Sequence, residues 1–311
     1  MKEIYLVSPR GFCGGVRRAV TILDEVLKKH GSPVYVKHHL LHNKHIIADF
    51  KKKGVIFIEE MADIPNESVM VISAHGSSPD VYNQAKEKKL IVYDATCPLV
   101  IKVHLEAKRY EKEGYFIIYI GHKNHPEPKG VLGEVKKDSF VLVQNLQEAI
   151  KVTPPQEKKI VILSQTTLSF DETKKTIAVL KKRFPDLLLP PVFDICYATQ
   201  NRQRAVKELS KKVNLILVIG SKESSNSNRL KEVGEKKGVK SYLINDVSKI
   251  KKEWIEKTET IGVTAGASAP DYLVDEVIDF FKRKGASIKK LEVIKENISF
   301  PLPANLKQNN I

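Results

Sequence analysis

"IYLVSPRGFCGGVRRAV", residues 4–20, carries the reading of the fold. An apolar, β-branched run ends at Ser8. A glycine-bracketed turn holding Cys13 follows. Val16, Ala19, Val20, Leu23, Val26 and Leu27 then form a stripe with the helical period of about 3.6 residues. The same strand–turn–helix order recurs along the 311 residues. Runs at 33–37, 55–59, 69–74, 91–95, 116–120, 139–143, 160–165, 192–196, 215–219, 241–244 and 260–264 read as further strands. Val100, Val103, Ala107 and Tyr110 make a second helical stripe, and Leu273, Val274, Val277, Ile278 and Phe281 a third. Strands alternating with helices imply parallel sheets covered by helices, the α/β class.

The strands read as three groups of about four, each opening near one of the chain's three cysteines, Cys13, Cys97 and Cys196. Their spacing is one small α/β unit each, a weak threefold repeat. Boundaries near 96 and 193 follow. Residues 1–96, 97–193 and 194–281 are expected to be three small α/β units with mainly parallel sheets. Residues 282–311, with Pro and Asn but little periodicity, are expected to be a C-terminal arm that packs back and then frays.

An apolar share of 42% supports a sizeable core. No run of eighteen apolar residues is present, so no membrane helix is expected. The chain begins almost at once with a strand and without a charged-then-apolar leader, which points to the cytoplasm. The formal charge of +15 is mostly lysine, scattered in pairs and triplets among glutamates as on solvated helix faces. Arginine is scarce and no aromatic-rich basic motif accompanies the lysines, so nucleic acid is not expected as a partner. A basic field does attract anionic small substrates and acidic proteins.

All three cysteines occupy one kind of position: the end of a strand, just before a helix, with Pro98 at the first helical position after Cys97. A helix N-terminus favours thiolate, and the carboxyl ends of parallel strands are where ligands bind. A lone cysteine is usually buried filler, but three in equivalent places, with none elsewhere, argue for a shared task. The odd count and the compartment disfavour disulfides. Zinc with water or His as fourth ligand, and an iron–sulfur cluster held at three corners, both fit three thiolates. Ligands so far apart in sequence are atypical of compact zinc ribbons, which favours the cluster.

Polar segments fall at the other strand ends: "HNKH" (42–45), "AHGSS" (74–78), "GHKNHPE" (121–127), "SQTT" (164–167), "SSNSN" (224–228) and "AGASAPD" (265–271). Glycines and serines at strand-to-helix turns offer N–H groups and hydroxyls to an anion. His42, His75 and His125 add charge or hydrogen bonds, and Ser268 precedes a Pro-started helix. Glu127 is a proton donor if poorly solvated, and Thr166 offers a hydroxyl. His30, His38 and His104 read as structural or surface residues. No G-x-G-x-x-G or P-loop is present.

Taken in order, "PRGFCGGVRRA", "LLHN", "SAHGSSP", "DATCPLV", "GHKNHPE", "SQTTLS", "DICYATQNRQ", "SSNSNRL" and "TAGASAPD" resemble the 4-hydroxy-3-methylbut-2-enyl diphosphate reductase family, from about residue 4 to 281. The resemblance implies a pseudo-threefold trefoil of three α/β units around one central 4Fe–4S cluster. Cys13, Cys97 and Cys196 match its ligands, and the fourth iron has no protein ligand. His42, His75, Ser224, Ser225, Asn226 and Ser268 match diphosphate-binding residues. Glu127 matches the proton donor, and Thr166 and His125 match residues near the substrate hydroxyl. The implied reaction is reductive removal of an allylic hydroxyl with two electrons and two protons, giving isopentenyl and dimethylallyl diphosphates. No flavin or second-cluster motif is present, so an external donor such as ferredoxin or flavodoxin is expected. A zinc-dependent hydrolase of a phosphorylated small molecule and an iron–sulfur redox sensor are the alternatives.

Overall fold

A computed structural model describes residues 2–307. Twelve strands form three sheets: β1 (Glu3–Ser8), β2 (Val34–Lys37), β3 (Val55–Ile58), β4 (Val69–Ile72), β5 (Ile91–Asp94), β6 (Phe116–Ile120), β7 (Phe140–Val143), β8 (Ile160–Ser164), β9 (Leu215–Ile219), β10 (Lys240–Ile244), β11 (Thr260–Ala265) and β12 (Ser287–Glu292). Their orders are β10-β9-β11-β1-β12, β3-β2-β4-β5 and β7-β6-β8. Every strand pair among the described residues is parallel. The α/β class and the division into three parallel sheets are therefore as the sequence predicts.

The groups hold five, four and three strands rather than about four each. β1, first in the chain, pairs with β11 and β12 near the other end. Parallel neighbours need a crossover, so chain order does not reveal which sheet an early strand joins. The 192–196 run forms no strand. Pro190 and Pro191 just before it lack ladder N–H donors. Only Leu188 bridges to β8, at Val161, and the Ser164 N–H is taken by the Asp194 side chain at 2.7 Å. β12 lies inside the segment expected to be an arm, whose residues 308–311 fall outside the described part.

The chain divides into two compact units. One takes the chain up to Val16, His42–Ala48 and Tyr197–Ile298; the other takes Arg17–Leu41, Asp49–Cys196 and the segment from Ser299. In the first, the five-stranded sheet is buried on both faces. Leu215, Leu217 and Ile219 join Ile4, Leu273, Val277 and Phe281 on one side. Ile216 and Val218 join Val206, Leu209 and Leu230 on the other. The second unit repeats this around β6, where Phe116, Ile118 and Ile120 oppose Ile117 and Tyr119. Double-sided burial explains why "LILVI" and "FIIYI" read as unbroken apolar runs.

Gly262 in β11 is set by packing: a Cβ there would meet Leu209 Cγ at 2.8 Å and Cδ2 at 2.7 Å. Gly262→Ala is therefore expected to destabilise the chain by about 1–3 kcal/mol. A thermal midpoint equal to wild type would count against this packing.

Candidate active site

The three cysteines share one backbone arrangement. β4 ends at Ile72, and two residues later the Ala74 carbonyl accepts the Cys97 N–H at 3.0 Å. β8 ends at Ser164, and two residues later the Thr166 carbonyl accepts the Cys196 N–H at 3.0 Å. β11 ends at Ala265, and two residues later the Ala267 carbonyl accepts the Cys13 N–H at 3.3 Å. Each partner lies in one of the polar strand-end segments. Each cysteine is half-buried and stands immediately before a helix: Gly14–His30, Pro98–Lys112 or Tyr197–Leu209. Each cysteine thus adjoins the N-terminus of a helix.

The turn around Cys13 is held from beneath. Arg202, fully buried, donates through Nη2 and Nε to the Gly11 carbonyl at 2.8 and 3.1 Å, and through Nη1 to both Glu296 oxygens. Gly11 has φ +65°, and a Cβ there would lie 2.9 Å from Asp271 Oδ1. Gly14 leaves no room for a side chain either: its Cβ would sit 2.5 Å from the Ile298 carbonyl oxygen.

In the first unit, Ser224 caps the Ser225–Lys236 helix, accepting the Ser227 N–H. Ser268 Oγ lies 3.4 Å from Ser224 Oγ and 3.2 Å from the His42 carbonyl oxygen. Asn226 accepts the Ala267 N–H at 2.9 Å and donates to Thr199 Oγ1. Ser224, Asn226, Ser268 and the His42 backbone are thus brought together at a helix N-terminus, a natural seat for an anion. Ser225 opens that helix.

In the second unit, β6 feeds the helix Pro126–Leu132, which carries Glu127. Glu127 is 3% exposed. Its Oε2 accepts the Thr166 N–H and its Oε1 the Thr166 hydroxyl, both at 2.8 Å. Its own N–H donates to His125 Nδ1, which caps the helix. The His75 and His125 rings meet edge to face, 5.5 Å apart. Burial pushes the Glu127 carboxyl up, against the two bonds from Thr166 and the charge of His104. A buried carboxyl bonded to one hydroxyl can hold a proton and pass it through that hydroxyl.

Several supporting residues escape a reading of the motifs. Asp194 accepts the Ser164 N–H and the Lys102 ammonium at 2.9 Å, and burial pushes it up to about 7. Asp94 does similar work before Cys97, accepting the Thr96 N–H at 2.8 Å. The signal was an aspartate two or three residues ahead of both Cys97 and Cys196. Gln165, fully buried, accepts the His122 N–H and donates to Thr167. Arg202 gave only a weak cue, an arginine on the buried stripe of its helix.

The model of the LytB protein family matches residues 4–282. A Bradyrhizobium diazoefficiens protein named 4-hydroxy-3-methylbut-2-enyl diphosphate reductase 2 is 49% identical over 305 residues, covering 98% of this chain and 99% of that protein. A Polaromonas protein named 4-hydroxy-3-methylbut-2-enyl diphosphate reductase is 46% identical, covering 99% and 92%. Among solved structures, the Plasmodium falciparum E-1-hydroxy-2-methyl-but-2-enyl-4-diphosphate reductase superposes with a TM-score of 0.95 at 37% identity, covering 98% of this chain and 96% of that one. No helix of the described residues is long and apolar enough to cross a membrane.

Glu127 also sets a pH dependence of stability. Its folded carboxyl holds its proton more tightly than the unfolded one, whose ordinary value is 4.5. Its stabilising contribution is therefore full below about pH 4.5 and is lost as pH rises through the raised folded value. Glu127→Gln should gain thermal stability relative to wild type as pH increases. Melting curves at several pH values check this; a difference independent of pH would contradict it.

Proposed function

The chain belongs to the LytB protein family, and we propose that it is an oxidoreductase that removes the allylic hydroxyl of 4-hydroxy-3-methylbut-2-enyl diphosphate. The observation that carries the reading is the threefold recurrence of a cysteine before a helix, its N–H bonded two residues past a strand end. Three soft thiolate donors on pinned backbones fit a 4Fe–4S cluster. Cys13, Cys97 and Cys196 would hold it, leaving one iron without a protein ligand. When bound, the cluster supplies electrons and a Lewis-acidic iron that polarises the C–O bond.

The chain's own residues do the rest. Ser224, Ser225, Asn226 and Ser268, with His42 and His75, bind the diphosphate through hydroxyl, amide and imidazole donors. His125 and Thr166 address the substrate hydroxyl. Glu127 gives its proton to Thr166, whose own proton passes to the departing oxygen. The C–O bond breaks, the oxygen leaves as water, and the allylic carbon skeleton takes two electrons and a second proton. Protonation at either end of the allyl unit yields isopentenyl or dimethylallyl diphosphate. The electrons come from an external protein, ferredoxin or flavodoxin, whose acidity suits a chain of formal charge +15.

Protein purified without oxygen should be brown, with iron and sulfide in cluster stoichiometry. Colourless protein that keeps zinc after anaerobic reconstitution would support the hydrolase alternative instead. A cluster-bearing chain that reduces no allylic diphosphate with an artificial donor would be a redox sensor.

Glu127→Gln should retain the cluster and lose roughly 10²- to 10⁴-fold in kcat, the usual worth of a general acid. Unchanged turnover would remove Glu127 from the proton path.

A further inference from the structure

His104 belongs to the second unit. It sits on the Pro98–Lys112 helix and is 8% exposed. Its Nδ1 is 2.9 Å from Glu134 Oε1, and the other Glu134 oxygen pairs with Lys108 Nζ at 2.7 Å. The Glu134 carboxylate accepts and cannot donate, so the Nδ1 proton and the ring's rotation are both fixed.

The opposite edge of the ring meets backbone. A Cβ on Gly76 would come within 3.2 Å of His104 Nε2, and one on Gly130 within 3.0 Å of Cε1 and 3.1 Å of Nε2. Nε2 is buried and makes no hydrogen bond to the described residues. Both glycines adjoin the proposed chemistry. Gly76 follows His75 and has φ +78°, a conformation side chains rarely adopt. Gly130 is three residues beyond Glu127 on one short helix, hence on the same face. Purely structural packing would be met by any apolar side chain. A ring oriented by a buried ion pair and pressed against two glycines is a more exacting device.

We propose that His104 is a positioning residue for the reductase reaction: its imidazole, held by Glu134 and Lys108, sets the distance between the His75–Gly76 turn and the helix that carries Glu127. This inference rests on the functional reading above. It assigns Gly130 a reason that helix propensity does not supply, since a glycine there costs its helix stability, whereas Gly76 is already required by its positive φ.

Three variants separate the roles. His104→Asn places its amide nitrogen where Nδ1 was and keeps the bond to Glu134, but leaves the glycine side empty. Gly130→Ala pushes the ring from the other side, and the double variant puts the new methyl group into the vacated space. Steady-state kinetics on the anaerobically prepared holoenzyme, with an artificial electron donor, should show each single variant down about ten- to a hundredfold in kcat. KM should rise by a smaller factor than kcat falls, because Ser224, Asn226 and Ser268 still hold the diphosphate and only His75 among its proposed partners is displaced. The double variant should recover part of the loss, a non-additivity expected only if the two groups contend for one space. Glu134→Leu, which keeps much of the volume and removes the acceptor that holds the ring, should lose kcat as well and covers the case where His104→Asn does not fold. Wild-type kcat in His104→Asn, or a double variant no better than the product of the singles, overturns the inference while leaving the reductase reading intact. A wild-type holoenzyme without reductase activity overturns the functional reading itself, and this positioning role with it.

Discussion

Every described strand pair is parallel, and that constraint organises the molecule. A parallel sheet brings the carboxyl ends of its strands to one edge, and each end must hand over to a helix on a covered face. Polar residues that would be costly inside the sheet collect there. The donors and acceptors freed where the ladder stops are reused: Ala74, Thr166 and Ala267 turn their carbonyls to the N–H groups of Cys97, Cys196 and Cys13. The positions that cannot continue the ladder are thus the ones that fix the thiols, and two of the same segments carry Thr166 and Ser268.

Glu127 shows how the second unit tunes a single group. Full burial favours the neutral carboxyl, while the Thr166 N–H and hydroxyl favour the anion. Burial comes out ahead, and the two bonds work against the rise. A carboxyl held this way keeps a proton more readily than in water and still has an acceptor for the charge it leaves behind. Thr166 serves twice, its side chain and N–H on Glu127 and its carbonyl on Cys196. Displacement of that one loop would disturb Glu127 and a cysteine together.

Much of this was legible in the sequence because it follows from period and position. Runs such as "LILVI" declare a strand buried on both faces, and a cysteine between a strand and a proline or glycine turn declares its place at a helix start. Pairing within the five-stranded sheet was not legible: β1 joins β11 and β12 although their residues stand roughly 250 or more apart in the chain, a separation no local pattern records. The 192–196 run misled because its apolar residues look like a strand, whereas the preceding prolines and the Asp194 side chain replace the ladder. The supporting shell of Asp194, Gln165, Arg202 and Glu134 was hidden for a related reason. A buried polar residue is specified by partners distant in sequence, not by neighbours in the chain.

The placement of arginine follows the same logic of charge. Arg202, fully buried, directs its fork at the Gly11 carbonyl and Glu296, where bidentate geometry gives rigidity to the turn carrying Cys13. The proposed anion seat instead offers Ser224, Asn226, Ser268 and a helix N-terminus. In the proposed reaction substrate and product carry the same diphosphate. Strength of binding to that group is uniform along the reaction path, so it cannot lower the chemical barrier, and excess strength only delays release. Neutral donors orient the diphosphate without holding the product too tightly. The strong charge-assisted bonds are kept for the scaffold, where permanence is useful.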